Sequence, residues 1–304
     1  MARLLITGAG GPAGDSLGRQ LQGTPHAVVG VDMEPLSLDA EARFDRTYVV
    51  PAATSPDFLP RLRDLVRREA IDVVIPTVQE ELPILAGVAD LVGARVVISP
   101  SEAVWRAQDK LITAWALEQS GVPTPRTCAL VSSSEGEDHA VPSPPMAFPF
   151  IVKPRTSRGG RGVTVVDSAA EWTREVLERP GQVVQEFADG AEYAVQVYVP
   201  SGGDDVTSVV LEKTTLKQGR VGNAEAVRRV SPEEDADVAA VATDAVLALG
   251  LRGPLDVDVR RDGRGAPVVL EVNARFGANS AYAPELLARL LEEWNMTGAD
   301  PGST

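Results

Sequence analysis

Short apolar runs alternate with helical periodicity through the first hundred residues, and this alternation constrains the fold more than any other feature. Leu4-Leu5-Ile6-Thr7 is a strand, followed by a glycine-rich turn and a helix reaching about Gln22. A second strand covers 28–31 and ends at Asp32. Helices are expected at 58–70 and 81–92, and strands at 72–75 and 95–98. Strands joined through helices pair in parallel, which predicts a doubly wound α/β sheet. The Pro-Ser-acid run at 132–149 has linker or loop composition, and beyond it the pattern changes. Strands at 150–153 and 162–166 flank a glycine-arginine loop, and 182–187 and 193–199 are further strands. Ser231-Pro232-Glu233-Glu234 has the form of a helix N-cap with acids in the first turn, predicting a helix to about Leu249. Strands at 255–261 and 268–272 form a hairpin around Asp262-Gly263. Antiparallel strands with helices on one side point to an α+β unit.

Composition narrows the function classes. The 304 residues carry 29 Lys+Arg against 43 Asp+Glu, a net charge of −14. Such a surface repels phosphate backbones, which argues against a nucleic-acid partner. The single cysteine, Cys128, excludes a disulfide framework and fits a reducing compartment as a small buried side chain. His26 and His139 are far apart and leave little for a histidine-built metal site or triad. No apolar run approaches the roughly 20 residues of a membrane span, and the glycine break in MARLLITGAGG is too early for a secretory segment. The expectation is a cytoplasmic, multi-domain α/β protein, monomeric or homodimeric.

Three segments carry chemistry. Strand alternation puts Asp256 and Asp258 on one face, and the returning strand puts Glu271 and Asn273 on one face. Oxygen donors converging across a hairpin suit a hard cation such as Mg²⁺; the pattern also fits an ordinary hairpin with solvated polar faces. Lys153-Pro154-Arg155-Thr156-Ser157-Arg158-Gly159-Gly160-Arg161-Gly162 combines four cations with glycines that let backbone amides turn toward an anion. A basic surface loop between strands has the same composition. Gln185-Glu186-Phe187-Ala188 with Glu192 can present backbone groups to a flat heterocycle and a carboxylate to ribose hydroxyls, or can simply be a strand and a turn.

In this order, the segments resemble the ATP-grasp superfamily. The resemblance is most specific in Phe148-Pro149-Phe150-Ile151-Val152-Lys153-Pro154, Gln185-Glu186-Phe187 and Leu270-Glu271-Val272-Asn273-Ala274-Arg275. The N-terminal third is similar to the pre-ATP-grasp domain of the carbamoyl-phosphate-synthetase-like branch, which includes the pyrrolysine-pathway ligase. The resemblance implies a Rossmann-like domain at 1–107, a small ATP-grasp lobe at 108–188 and a large lobe with the metal site at 189–304. It implies ATP and two Mg²⁺, with Mn²⁺ as a substitute, and an ADP-forming carboxylate–amine ligase working through an acyl phosphate on an amino acid or small acid. By position, Lys110 and Lys153 contact nucleotide phosphates, and Ser157, Gly159, Gly160 and Gly162 belong to the closing loop. Glu186, Phe187 and Ala188 form the adenine hinge and Glu192 takes the ribose. Asp258, Glu271 and Asn273 hold the metal, while Arg275 and Lys153 are catalytic. The usual Asn-Pro-Arg reads Asn273-Ala274-Arg275, a change of rigidity and not of ligands.

Further residues are candidates for substrate contact. Asp32 and Glu81, at carboxyl ends of parallel strands, suit a substrate amine. Lys213 and Arg228 belong to a basic segment at 211–229 that also fits a mobile, solvated hairpin, and they are substrate candidates. Gly8-Ala9-Gly10-Gly11-Pro12-Ala13-Gly14 followed by Val31-Asp32 imitates a dinucleotide fingerprint, so an NAD-dependent oxidoreductase is the alternative. Gly14-Asp15-Ser16-Leu17-Gly18 matches a hydrolase pattern by letter, but Ser16 falls inside a helix rather than at a strand-to-helix elbow.

Overall fold

The computed structural model describes residues 1–130, 143–157, 159–217 and 219–296. Three sheets build the molecule. The first is parallel, in the order β3-β2-β1-β4-β5, with β1 Arg3–Thr7, β2 Ala27–Asp32, β3 Arg46–Val49, β4 Val73–Ile75 and β5 Arg95–Val96. Helices α1 Pro12–Leu21, α2 Leu38–Glu41, α3 Phe58–Arg68 and α4 Leu82–Gly87 connect the strands. The alternation expected of a strand covered on both faces is visible in β1. Leu4 and Ile6 pack with Leu17 and Leu21 of α1, whereas Leu5 packs with Leu62 and Leu65 of α3.

Helices α5 Ser101–Gln108 and α6 Lys110–Gln119 lead into the second sheet. Its order is β6-β9-β7-β8, all antiparallel: β6 Thr127–Ala129, β7 Phe150–Pro154, β8 Thr164–Val166 and β9 Gln182–Glu186. Helix α7 Arg174–Leu177 closes it, and Phe150 meets Trp172 edge-on at 5.3 Å. The third sheet, β12-β11-β10-β13-β14, comprises β10 Glu192–Val199, β11 Thr207–Leu216, β12 Ala224–Arg229, β13 Gly253–Arg261 and β14 Pro267–Asn273. Helix α8 Ala236–Ala248 covers one face and α9 Pro284–Glu293 the other. Through α9, Ala194, Tyr198 and Phe276 share one apolar core with Leu4, Ile6 and Leu17, which joins the third sheet to the first.

Several expectations need correction. The helix at 81–92 is three short pieces, 3₁₀ turns Gln79–Glu81 and Ala89–Leu91 around α4, which ends on Gly87, a poor helix former. The helix expected from Ser231 begins at Ala236, because Arg261 binds Asp235 (2.6 Å) and Asp237 (2.8 Å) and fixes the first turn there. The strand at 162–166 starts at Thr164, since Gly162 has φ +74°, outside extended geometry. The segment at 211–229 is the β11–β12 hairpin: Thr207–Glu212 of β11 pairs with β10, whereas Lys213–Leu216 pairs with β12. Positions 132–142 of the linker, with His139, and Arg158 of the glycine loop lie outside the described residues. No helix among the described residues is long and apolar enough to cross a membrane.

Candidate functional site

A cleft of about 1050 Å³ lies where the carboxyl ends of the first sheet face the other two sheets. The β13–β14 hairpin forms one wall. Its register places Asp256 opposite Asn273 and Asp258 opposite Glu271, so the oxygen donors share a face. The next pair is Val259 with Val269, which leaves Leu270 as an extra residue on β14. That bulge frees the Leu270 carbonyl from the ladder, and it accepts from Lys153 Nζ at 3.4 Å. Burial, followed by the neighbouring Asp258, pushes the Asp256 carboxyl up to about 6, although Arg275 and Lys213 pull it back. Arg275 Nη1 stands 3.6 Å from Asp256 Oδ2.

Three buried lysines face this hairpin. Lys110 is the first residue of α6, whose N-terminus is capped by Asp109; the Asp109 side chain accepts from Leu111 N (2.9 Å) and also binds Arg155 (2.6 Å). That pairing orients Lys110, with Nζ 3.1 Å from Glu271 Oε1 and donating to Ser157 O at 3.1 Å. Lys153, from β7, donates to Gln185 Oε1 at 2.7 Å. Burial, then the nearby Lys110 charge, lowers its ammonium to about 8, against the opposing pull of Glu271. Lys213, from β11, lies 2.7 Å from Glu192 Oε1 and 2.6 Å from Asp258 Oδ1. Burial works against its charge, but these two carboxylates outweigh burial and hold it above the ordinary lysine range.

At the other end of the cleft, Glu186 closes β9 and Phe187 and Ala188 follow it. Arg220 and Arg260 lie 4.6 Å and 4.9 Å from the Phe187 ring centroid, and Arg260 reaches Glu192 at 3.5 Å. The β11–β12 turn crosses above the glycine loop so closely that a Cβ on Gly159 would meet Asn223 at 3.2 Å.

Lys110, Lys153, Ser157, Gly159, Gly160, Glu186, Phe187, Ala188, Glu192, Lys213, Asp258, Glu271, Asn273 and Arg275 all line this one cleft, as do Asp32 and Glu81. Gly162 and Arg228 do not. Arg228 is half-exposed and bound to Glu212 (2.6 Å) and Glu234 (2.7 Å) on the outer side of the third sheet. Sequence reasoning missed Arg260 as a lining residue, although it continues the period-two row from Asp256 and Asp258; Lys217, of the basic segment at 211–229, also lines the cleft. The glycine turn after β1 has a structural cause: a Cβ on Gly14 would sit 2.7 Å from Ala9 Cα. Asp32 is engaged locally, accepting from Gly10 N (2.9 Å) and Met33 N (2.7 Å).

Among the described residues, no three of His, Cys, Asp and Glu converge into a self-sufficient metal cage. The donor set of two carboxylates and an amide nevertheless fits Mg²⁺, which takes a few protein oxygens and completes its shell with phosphates and water. Lysine ammoniums already stand as cations on both carboxylates, Lys213 on Asp258 and Lys110 on Glu271.

A family model described as the ATP-grasp domain matches residues 107–279, and one described as PylC-like, N-terminal domain matches residues 4–97. A D-alanine--D-alanine ligase of Ectopseudomonas mendocina (strain ymp) is 28% identical over 198 residues, covering 60% of this chain and 60% of that protein. The carbamoyl phosphate synthase large chain of Thermus thermophilus is 28% identical over 260 residues, 82% of this chain but 24% of the relative. Among solved structures, an L-amino acid ligase from Bacillus licheniformis superimposes with a TM-score of 0.67 at 23% identity, covering 92% of this chain and 68% of that one. The chain thus spans less than two thirds of the length of these curated relatives. The comparisons lend no support to the oxidoreductase alternative.

Proposed function

The chain belongs to the ATP-grasp family, and from that premise we propose that it is an ADP-forming carboxylate–amine ligase. One observation carries this reading: buried Lys110 and Lys153 share a cleft with the Asp258, Glu271 and Asn273 face. A carboxylate attacking a γ-phosphorus brings two anions together, so the barrier is mainly electrostatic and positional. Lys110 and Lys153 neutralise phosphate oxygens, and the backbone at Ser157, Gly159 and Gly160 closes over them. Gly162 supports that loop from outside the cleft. Glu186, Phe187 and Ala188 receive the adenine, and Glu192 accepts from the ribose hydroxyls. Asp258, Glu271 and Asn273 would hold Mg²⁺, which supplies further charge neutralisation at the phosphates. Arg275, already paired with an acid in the free protein, meets the transferred phosphoryl group. The carboxylate oxygen–phosphorus bond forms as the bridge to ADP breaks, and the amine then displaces phosphate from the acyl carbon, leaving an amide. Asp32 and Glu81 lie on the amine side.

The division at 1–107, 108–188 and 189–304 belongs to this proposal, supported by one sheet falling within each stretch. So do the cytoplasmic location and a small acid or amino acid as substrate. Turnover with candidate acid and amine pairs, followed by chromatography of the nucleotide, is the test. ADP and phosphate in equal amounts are expected, with hydroxylamine trapping a hydroxamate; AMP and pyrophosphate would reject the mechanism.

A further inference from the structure

Lys213 has a position that phosphate or substrate contact alone does not explain. It stands in β11 beside Glu192 of β10, and its ammonium reaches diagonally to Asp258 of β13 past the small side chain of Ala194. Its side chain is 6% exposed, Glu192's 8% and Asp258's 25%. Glu192, Asp256, Asp258 and Glu271 would repel one another on this face without internal counter-ions, and a buried unpaired charge is costly. The ammonium and a divalent ion cannot both occupy the same oxygen of Asp258.

We propose that Lys213 is a tethered counter-cation that keeps the metal position on Asp258 closed in the free protein, so that a divalent ion enters only with a nucleotide whose phosphates draw the ammonium away. This rests on the reading of Asp258 as a metal ligand given above. Lys110 on Glu271 closes the second carboxylate in the same way. Because the ammonium passes from carboxylate to phosphate as the metal arrives, no stage leaves a bare charge in the cleft. The same movement releases Glu192 Oε1 to a ribose, while Oε2 keeps Arg260 at 3.5 Å. Lys213 is therefore a positioning residue that orders binding.

Equilibrium dialysis of the full chain against Mn²⁺, with and without a non-hydrolysable ATP analogue, tests this without turnover. The native protein alone should retain little Mn²⁺, and the analogue-bound protein should retain it. Lys213→Met without nucleotide should bind Mn²⁺ at least about tenfold more tightly than the native chain, the scale of removing one adjacent charge near a protein surface. Lys213→Arg should stay closed, and Lys213→Gln replaces the Met variant if that does not fold. Native protein binding Mn²⁺ alone as tightly as Lys213→Met overturns the proposal. Mn²⁺ absent from every arm, the analogue-bound one included, refutes the metal assignment itself and the proposal with it.

Discussion

Lys153 is a cation kept where burial disfavours it, with a carbonyl and an amide oxygen as its hydrogen-bond partners. Its ammonium, lowered to about 8, is charged at neutral pH and loses its proton just above it. Affinity for ATP, measured by calorimetry, should therefore fall as pH rises from 7 to 9. Lys153→Arg should flatten that limb, because a guanidinium does not deprotonate in this range; a slope unchanged in the variant removes Lys153 as its source. The stability linkage has the opposite sign. Between about 8 and the ordinary lysine value the unfolded chain binds the proton that the native chain has released, so this group's contribution to stability rises with pH through that window. The identities of Lys110 and Lys153 were legible from their neighbours in the chain. The partners of Lys213 were not, since they come from two other strands 21 and 45 positions away.

Among the elements, the β13–β14 hairpin was the most legible, because period two and a two-strand return already align Asp258 with Glu271. The Leu270 bulge was not, as nothing local marks it. The turn from β1 into α1 illustrates how an element can mislead: its glycines read as a dinucleotide fingerprint, yet close packing accounts for them. Ala is normally the better helix residue by up to about 1 kcal/mol. At position 14 its methyl would press on the backbone of Gly8 and Ala9, and overpacking of this kind costs about 1–3 kcal/mol. Gly14→Ala should therefore lower the urea midpoint at unchanged m-value, and a more stable variant would show that the turn has room.

At the scale of the molecule, the cleft draws walls from all three sheets, so a ligand bridging them stabilises the whole fold by linkage. ATP with Mg²⁺ should raise the thermal midpoint, whereas NAD⁺ should leave it unmoved. The reverse result would return the glycine turn to consideration as a dinucleotide site. The shared core linking α9, the third sheet and the first sheet makes the N-terminal unit part of the same rigid support.

The sequence by itself determined the local elements and the residue types facing each other across a hairpin, because alternation and turn chemistry act over a few residues. It also carried the family resemblance, which lies in contiguous motifs. Tertiary structure alone decided which charges are paired. Lys110 meets Glu271 across 161 positions, Lys213 takes Asp258, Arg228 turns outward, and Lys153 loses most of its water. Those outcomes depend on burial and on distances between separate sheets, and electrostatic energy is set by both.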